Sequence, residues 1–267
     1  MSNVEVPPSA GTNREIEIVD DSTELNRAAA DEFSRLARAS VARSGRFAVA
    51  LAGGSTPKNV YSLLAGDDQQ NPVDRLPWEK IHIFFGDERH VAPDHQDSNY
   101  HMASESLLSK VPIPAANIHR VRAELSSAAE AADLYEIEVR DFFRPQTGDA
   151  NPDFVPVFDL VMLGMGPDGH TASLFPGSEA LNENKRLVVA NWVEKFNTFR
   201  ITFTYRLLNN ASQVMFLVTG KDKTEMLHNV LEGDPSGKTY PSQGIKPVSG
   251  RLLWIIDRGA AALLRNR

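Results

Sequence analysis

The chain has 267 residues, 42% of them hydrophobic and 24% charged, with a net charge of −7 and no cysteine. That length buries a substantial core, and the lack of cysteine excludes disulfides, thiolate metal sites and thiol catalysis. The negative charge repels a polyanion, so no nucleic-acid partner is expected; no apolar run approaches the ~18 residues of a membrane span, so no membrane is expected either.

Residues 1–13 contain Pro7, Pro8 and Gly11 but no basic end followed by an apolar block. They read as a short flexible lead rather than a signal peptide, which with the missing cysteines predicts a cytoplasmic protein. Residues 14–267 read as a single domain. A first strand is predicted over 14–19, after which Asp21 and Glu24 have the spacing of a capping box. Leu25, Ala29, Phe33, Leu36 and Val41 then recur close to helical spacing, up to Gly45. Strands follow at 47–52 and 81–85. Leu125, Ala128, Ala132, Tyr135, Val139 and Phe142 predict a long helix, and the Pro, Gly and Asp of 144–156 a loop. Further strands are predicted at 158–163, 187–192, 199–204 and 214–218, a helix over 221–231 ending at Gly233, a last strand at 252–256 and a short helix at 259–264. Strands alternating with helices predict an α/β protein, a three-layer α/β/α sandwich around a mostly parallel sheet.

Three strand ends carry chemistry. After 47–52 comes Gly53-Gly54-Ser55-Thr56-Pro57. Paired glycines let a ligand approach the backbone, two hydroxyls add donors, and Pro57 suits a helix's first turn, which together favour phosphate. The plain alternative is a strand-to-helix turn. After 81–85 comes Gly86-Asp87-Glu88-Arg89, where three charges at a sheet edge call for pairing or a ligand, unless this is a solvated loop. Lys195 and Arg200 flank a turn and supply cations, or are ordinary surface residues. His90, His95 and His101 with Asp94 and Asp97 match no zinc spacing and read as a polar loop; His82, His119 and His228 read as structural. The third strand end, Gly164-Met165-Gly166-Pro167-Asp168-Gly169-His170, is the sharpest. It follows a buried strand and presents an Asp and a His, a proton-transferring residue near neutral pH, at the sheet's carboxyl edge.

At these residues the chain resembles the glucosamine-6-phosphate isomerase/6-phosphogluconolactonase family. The blocks that carry the likeness are Gly53 to Pro57, Gly86 to Arg89 with Ser98-Asn99-Tyr100, Leu163 through His170 to Pro176, Arg200-Ile201-Thr202 and, more weakly, Gly250 to Trp254. Within the family it is similar to the lactonases: Thr171-Ala172-Ser173-Leu174-Phe175-Pro176 lacks the glutamate that isomerases carry after their Asp-Gly-His, and Arg89 stands where they have tyrosine. Phe203-Thr204-Tyr205-Arg206 departs from the usual lactonase Leu-Thr-Leu-Pro. The resemblance implies a Rossmann-like sheet and hydrolysis of 6-phospho-D-glucono-1,5-lactone to 6-phospho-D-gluconate in the pentose phosphate pathway. His170 would be general base and then acid, with Asp168 orienting it. Gly53, Gly54, Ser55, Thr56, Asp87, Arg89, Lys195 and Arg200 would bind substrate. No metal or organic cofactor is implied, the partner is the phosphorylated sugar lactone, and a monomer is expected. The runner-up activity is that of the isomerases, with Asp87 as carbon base; a sugar-phosphate sensor without turnover is a third reading.

Overall fold

The computed structural model describes residues 14–70, 75–144, 153–233 and 240–265. The N-terminal lead and the greater part of the 144–156 loop lie outside them. In chain order the elements are β1 (Arg14–Val19), α1 (Ser22–Ser44), β2 (Phe47–Leu51), α2 (Ser55–Gln70), β3 (Ile81–Phe85), β4 (Asp87–Arg89), α3 (Asn99–Ala103), α4 (Ala128–Phe143), β5 (Leu160–Gly164), β6 (Val188–Val193), β7 (Thr198–Phe203), α5 (Tyr205–Leu208), β8 (Gln213–Val218), α6 (Thr224–Glu232) and β9 (Arg251–Asp257).

Six strands form one sheet in the order β1-β9-β8-β5-β2-β3, every neighbouring pair parallel. Because side chains alternate between faces, β2 sends Phe47, Val49 and Leu51 to one core and Ala48 and Ala50 to the other. The first core lies under α1 and α2, the second under α4 and α6. Each large apolar side chain so buried contributes roughly 1.5–3 kcal/mol, and a strand buried on both faces reads as the continuous apolar run seen in the sequence.

The start of α1 explains how the chain leaves the sheet edge. The Asp21 carboxylate accepts hydrogen bonds from the Thr23 and Glu24 N–H groups, at 2.8 and 3.0 Å. Glu24 reaches back to the N–H of Asp20 rather than of Asp21, one residue beyond the predicted box. At the far end Gly45, at φ 78°, closes the helix by donating to Val41 O. A side chain there would meet the left-handed penalty that glycine avoids.

Two sequence expectations are corrected. Residues 258–263 are turns instead of a short helix. The predicted strands at 187–192 and 199–204 exist, as β6 and β7, but they leave the main sheet. With β4 they build a second, antiparallel sheet in the order β4-β7-β6. Glu136 on α4 fastens it: its carboxylate accepts from the N–H groups of Leu187 and Val188, at 3.1 and 3.2 Å, and pairs with Arg140 and Arg186. Burial raises this carboxyl's pKa, but the two arginines and the backbone donors outweigh it and hold it below the ordinary value.

Candidate active site

The parallel strands β2, β3, β5 and β8 all end at one edge, and the loops that leave them enclose a cleft of about 260 Å³. The ends of two strands are pinned by tyrosines. Tyr61 Oη accepts from Ala52 N–H (3.0 Å) and donates to Ala52 O (2.8 Å) just past β2. Tyr135 Oη does the same for Phe85 at the end of β3, accepting at 2.8 Å and donating at 3.1 Å. Each hydroxyl satisfies a backbone pair where the ladder runs out.

Past Ala52 the chain turns through Gly54, at φ 102°, into α2. Pro57 has no N–H, so the open donors of this helix's first turn are those of Ser55 and Thr56, beside their hydroxyls. All four residues Gly53, Gly54, Ser55 and Thr56 line the cleft. An anion is favoured at such a helix start.

Beyond β5, the turn Gly166–Gly169 closes with Gly169 N–H donating to Gly166 O at 3.0 Å, and Gly166 N–H donates to His170 O at 2.9 Å. Gly169 sits at φ 75°. Gly166 must be small for another reason: a Cβ there would collide with the His170 ring. The imidazole therefore lies directly on the loop backbone, with Phe175 stacked on it at 4.1 Å between ring centres.

Asp168 accepts a short hydrogen bond from His170 Nδ1, and its other oxygen receives Lys195 Nζ at 3.4 Å. Burial raises the Asp168 carboxyl's pKa, but the bond to His170, with Lys195 beyond, outweighs it and keeps the group below its ordinary value. Burial lowers the His170 imidazole below its usual value despite the opposing bond and charge of Asp168. Both shifts favour the ionised carboxylate and the neutral imidazole. A carboxylate only accepts, so Nδ1 carries the proton and Nε2 keeps its lone pair.

The second sheet supplies the cations. Pairing of β4 with β7 sets Arg89 directly opposite Arg200 and Asp87 opposite Thr202. Like charges placed across a ladder repel, and both guanidiniums keep a buried Nε without a hydrogen-bond partner among the described residues. Burial lowers the Arg200 pKa; the Asp87 charge opposes that and the Arg89 charge adds to it. Asp87 is itself held, accepting from Ser173 Oγ at 2.6 Å and Asn99 Nδ2 at 3.2 Å. Glu88, which faces away, accepts from the N–H groups of Arg89, Asn99 and Tyr100 and from Ser98 Oγ. Its burial raises the carboxyl's pKa in spite of those three backbone donors.

The cleft brings together His170, Asp87, Arg89, Arg200 and the four glycine-loop residues. Lys195 is elsewhere. It lies on the turn between β6 and β7, its side chain 55% exposed, on the outer side of Asp168 and next to a separate groove walled by Trp192 and Phe199. Asp168 borders that groove as well. One cation escaped the sequence reading: Lys223, just before α6, lines the cleft. Its only signal was a position after the strand end Val218, masked by the ordinary polar run Lys221-Asp222-Lys223. His90 bonds to Leu125 O, His95 to Asp97 and His101 to Glu105, so these three histidines have separate partners. Among the described residues no three His, Asp or Glu side chains are grouped to hold a metal, and no helix is long and apolar enough to cross a membrane.

Residues 20–254 match the family model described as glucosamine-6-phosphate isomerases/6-phosphogluconolactonase. The chain belongs to this family. Among members of the glucosamine-6-phosphate isomerase/6-phosphogluconolactonase family, it is similar to a 6-phosphogluconolactonase of Nostoc sp., with 42% identity over 93% of this chain and 98% of the relative. A 6-phosphogluconolactonase of Synechocystis sp. is 40% identical over 90% of this chain and 94% of its own length. Among solved structures, the 6-phosphogluconolactonase of Trypanosoma cruzi superposes with a TM-score of 0.83 at 31% identity, covering 95% of this chain and 98% of that one. The three-layer α/β/α architecture with its parallel sheet is the fold of these neighbours.

Proposed function

We propose that the protein hydrolyses 6-phospho-D-glucono-1,5-lactone to 6-phospho-D-gluconate, the lactone step of the pentose phosphate pathway, with His170 as general base and then general acid. The names of the relatives support lactone hydrolysis. The observation that carries the rest is the joint placement, around one cleft, of the His170 imidazole and two facing arginines, with His170 Nε2 and both arginine Nε atoms lacking hydrogen-bond partners among the described residues.

Phosphate is the group that this half-buried pair of arginines fits, since a guanidinium fork matches its oxygens. The Ser55 and Thr56 donors and Lys223 add to the same grip. Anchored so, the lactone carbonyl lies toward His170. Nε2 accepts a proton from water as its oxygen bonds to the carbonyl carbon. The tetrahedral intermediate then collapses, the bond from that carbon to the ring oxygen breaks, and the imidazolium returns its proton to the leaving oxygen. The carboxylic acid so formed loses its own proton to solvent. Asp168 holds Nδ1–H throughout and stabilises the imidazolium. An ester carbonyl is already electrophilic, so this chemistry asks for no cofactor.

The deciding experiment follows 6-phosphogluconate production with 6-phosphogluconate dehydrogenase, since the lactone also opens spontaneously. We expect a large excess over the uncatalysed rate for the wild type and one smaller by about 10²–10⁴-fold for His170→Ala. Equal rates for the two would remove His170 as the base, and a wild-type rate at background would remove the lactonase reading. Ammonia release from glucosamine 6-phosphate would instead mark the family's other activity.

A further inference from the structure

Asn99 lines the cleft with only 1% of its surface exposed, and the sequence offered no role for it beyond its part in a family-like block. Its side-chain amide makes three hydrogen bonds. Oδ1 accepts from Arg89 Nη1 at 2.6 Å, and Nδ2 donates to the backbone O of Asp87 at 2.8 Å and to Asp87 Oδ1 at 3.2 Å. These partners fix which way the amide points. Reversed, it would set NH₂ against a guanidinium and an oxygen against two oxygens.

The bonds to Arg89 have a consequence for what that residue offers. Nη1 donates to Asn99 Oδ1 and also to Asp97 O at 2.7 Å, so both of its hydrogens are used. The edge left over is Nε–H with Nη2–H beside it, and Nε is buried without a hydrogen-bond partner among the described residues. This is the edge that meets two oxygens of an anion at once. On the other side Asn99 touches the glycine loop: a Cβ added to Gly53 would overlap the Asn99 amide. Gly53 does not have a positive φ, so space, and not backbone conformation, makes glycine necessary there.

We propose that Asn99 is the positioning residue of the phosphate grip: it turns the free edge of Arg89 toward the cleft, and Gly53 is glycine to seat Asn99, not to admit the ligand. The proposal rests on the phosphate-binding reading above and deepens it. Asn99→Ala keeps the backbone N–H that donates to Glu88, so the local loop stays anchored.

The test compares wild type, N99A, R89A, G53A and the doubles N99A/R89A and G53A/N99A. It uses lactone turnover and calorimetric binding of 6-phosphogluconate, with thermal melting as a folding control. N99A should raise KM and weaken 6-phosphogluconate about tenfold, as expected for the loss of one well-placed charged hydrogen bond, with kcat within about threefold of wild type. Because Asn99 acts through Arg89, the N99A change should add nothing in the R89A background. G53A should imitate N99A and add nothing to it. Wild-type affinity in N99A, or losses that multiply in either double, would overturn the proposal. Should N99A fail to fold, G53A decides alone, since an unchanged KM there would sink the idea. Wild type that binds 6-phosphogluconate without turnover defeats only the lactonase reading, and the variants still decide. Wild type that does neither defeats both.

Discussion

Among the described residues, two of the histidine–carboxylate pairs share a carboxylate on Nδ1 and a phenyl ring stacked on the imidazole, and differ in what the other ring nitrogen meets. His170 bonds through Nδ1 to Asp168 and lies on Phe175, with 4.1 Å between ring centres. His119 bonds through Nδ1 to Glu138 at 2.9 Å and lies on Phe84, again at 4.1 Å. In the second pair the other ring nitrogen is occupied, because His119 Nε2 faces His82 Nδ1 at 3.3 Å. Among the described residues Nε2 of His170 has no such partner, and its ring borders the cleft. A carboxylate that fixes the tautomer is common to both, so it does not mark a catalyst. The free second nitrogen, opposite a place where cations hold a substrate, does.

The comparison breaks most sharply at His170. His170→Ala should lower kcat by about 10²–10⁴, the usual worth of general acid–base help, with an unchanged melting temperature; His119→Ala should leave kcat near wild type. Comparable activity losses for the two would erase the distinction.

Asp168→Asn is next. Losing a charge-assisted hydrogen bond of this kind costs roughly 10- to 100-fold in kcat. It should also move the pH profile. The base works when neutral, so activity falls as pH drops through the His170 pKa, which burial places below the usual imidazole value. Asp168 holds that pKa up, so without its charge the acid limb should shift to lower pH still. A limb that stays in place, or moves up, would show that Asp168 does not act on the base.

Arg200→Met should raise KM about tenfold while sparing kcat, the mark of uniform substrate binding. An unchanged KM would take Arg200 out of the grip.

The smallest effect belongs to the pair away from the cleft. Burial, with the charges of His119 and Arg46, holds His82 down at about 4. A folded-state pKa below the unfolded value of ~6.5 means the fold prefers the neutral ring. That stabilisation is complete above the unfolded pKa and is lost as pH falls from there toward about 4. His82→Gln keeps a donor for His119 and does not titrate. Its Tm should therefore fall less than that of wild type between pH 7.5 and 5, by roughly 2–4 °C for each kcal/mol involved. His82 is only partly buried, which keeps the effect small. Parallel Tm losses would exclude His82 as the acid-sensitive group.

These contrasts also mark what the sequence could carry. Strands such as Phe47–Leu51 and Leu160–Gly164 are legible because a strand buried on both faces is apolar without interruption. The Gly166-to-His170 turn is legible because glycines and charges following such a run have little other use. Asp87–Arg89 was not legible as a strand, since three charges show no apolar alternation; its pairing is imposed by β7, more than a hundred residues away. Nor does the sequence distinguish the runs that become β6 and β7 from those of the main sheet, since local composition says nothing about which partner a strand will find. Lys195 and Lys223 illustrate the same limit. Both follow strand ends, and only the tertiary arrangement sends one to the outer side of Asp168 and the other into the cleft.

The tyrosine clamps on Ala52 and Phe85 have a consequence for how a ligand arrives. A mouth that closes by induced fit needs pivots where strands give way to loops, and here two of those points are held on both backbone groups by a phenol from a helix. Little chain entropy is left there for the ligand to remove on binding. Association then depends on diffusion and on the pull of the arginine pair, so its rate should respond to ionic strength more than to solvent viscosity within the loops.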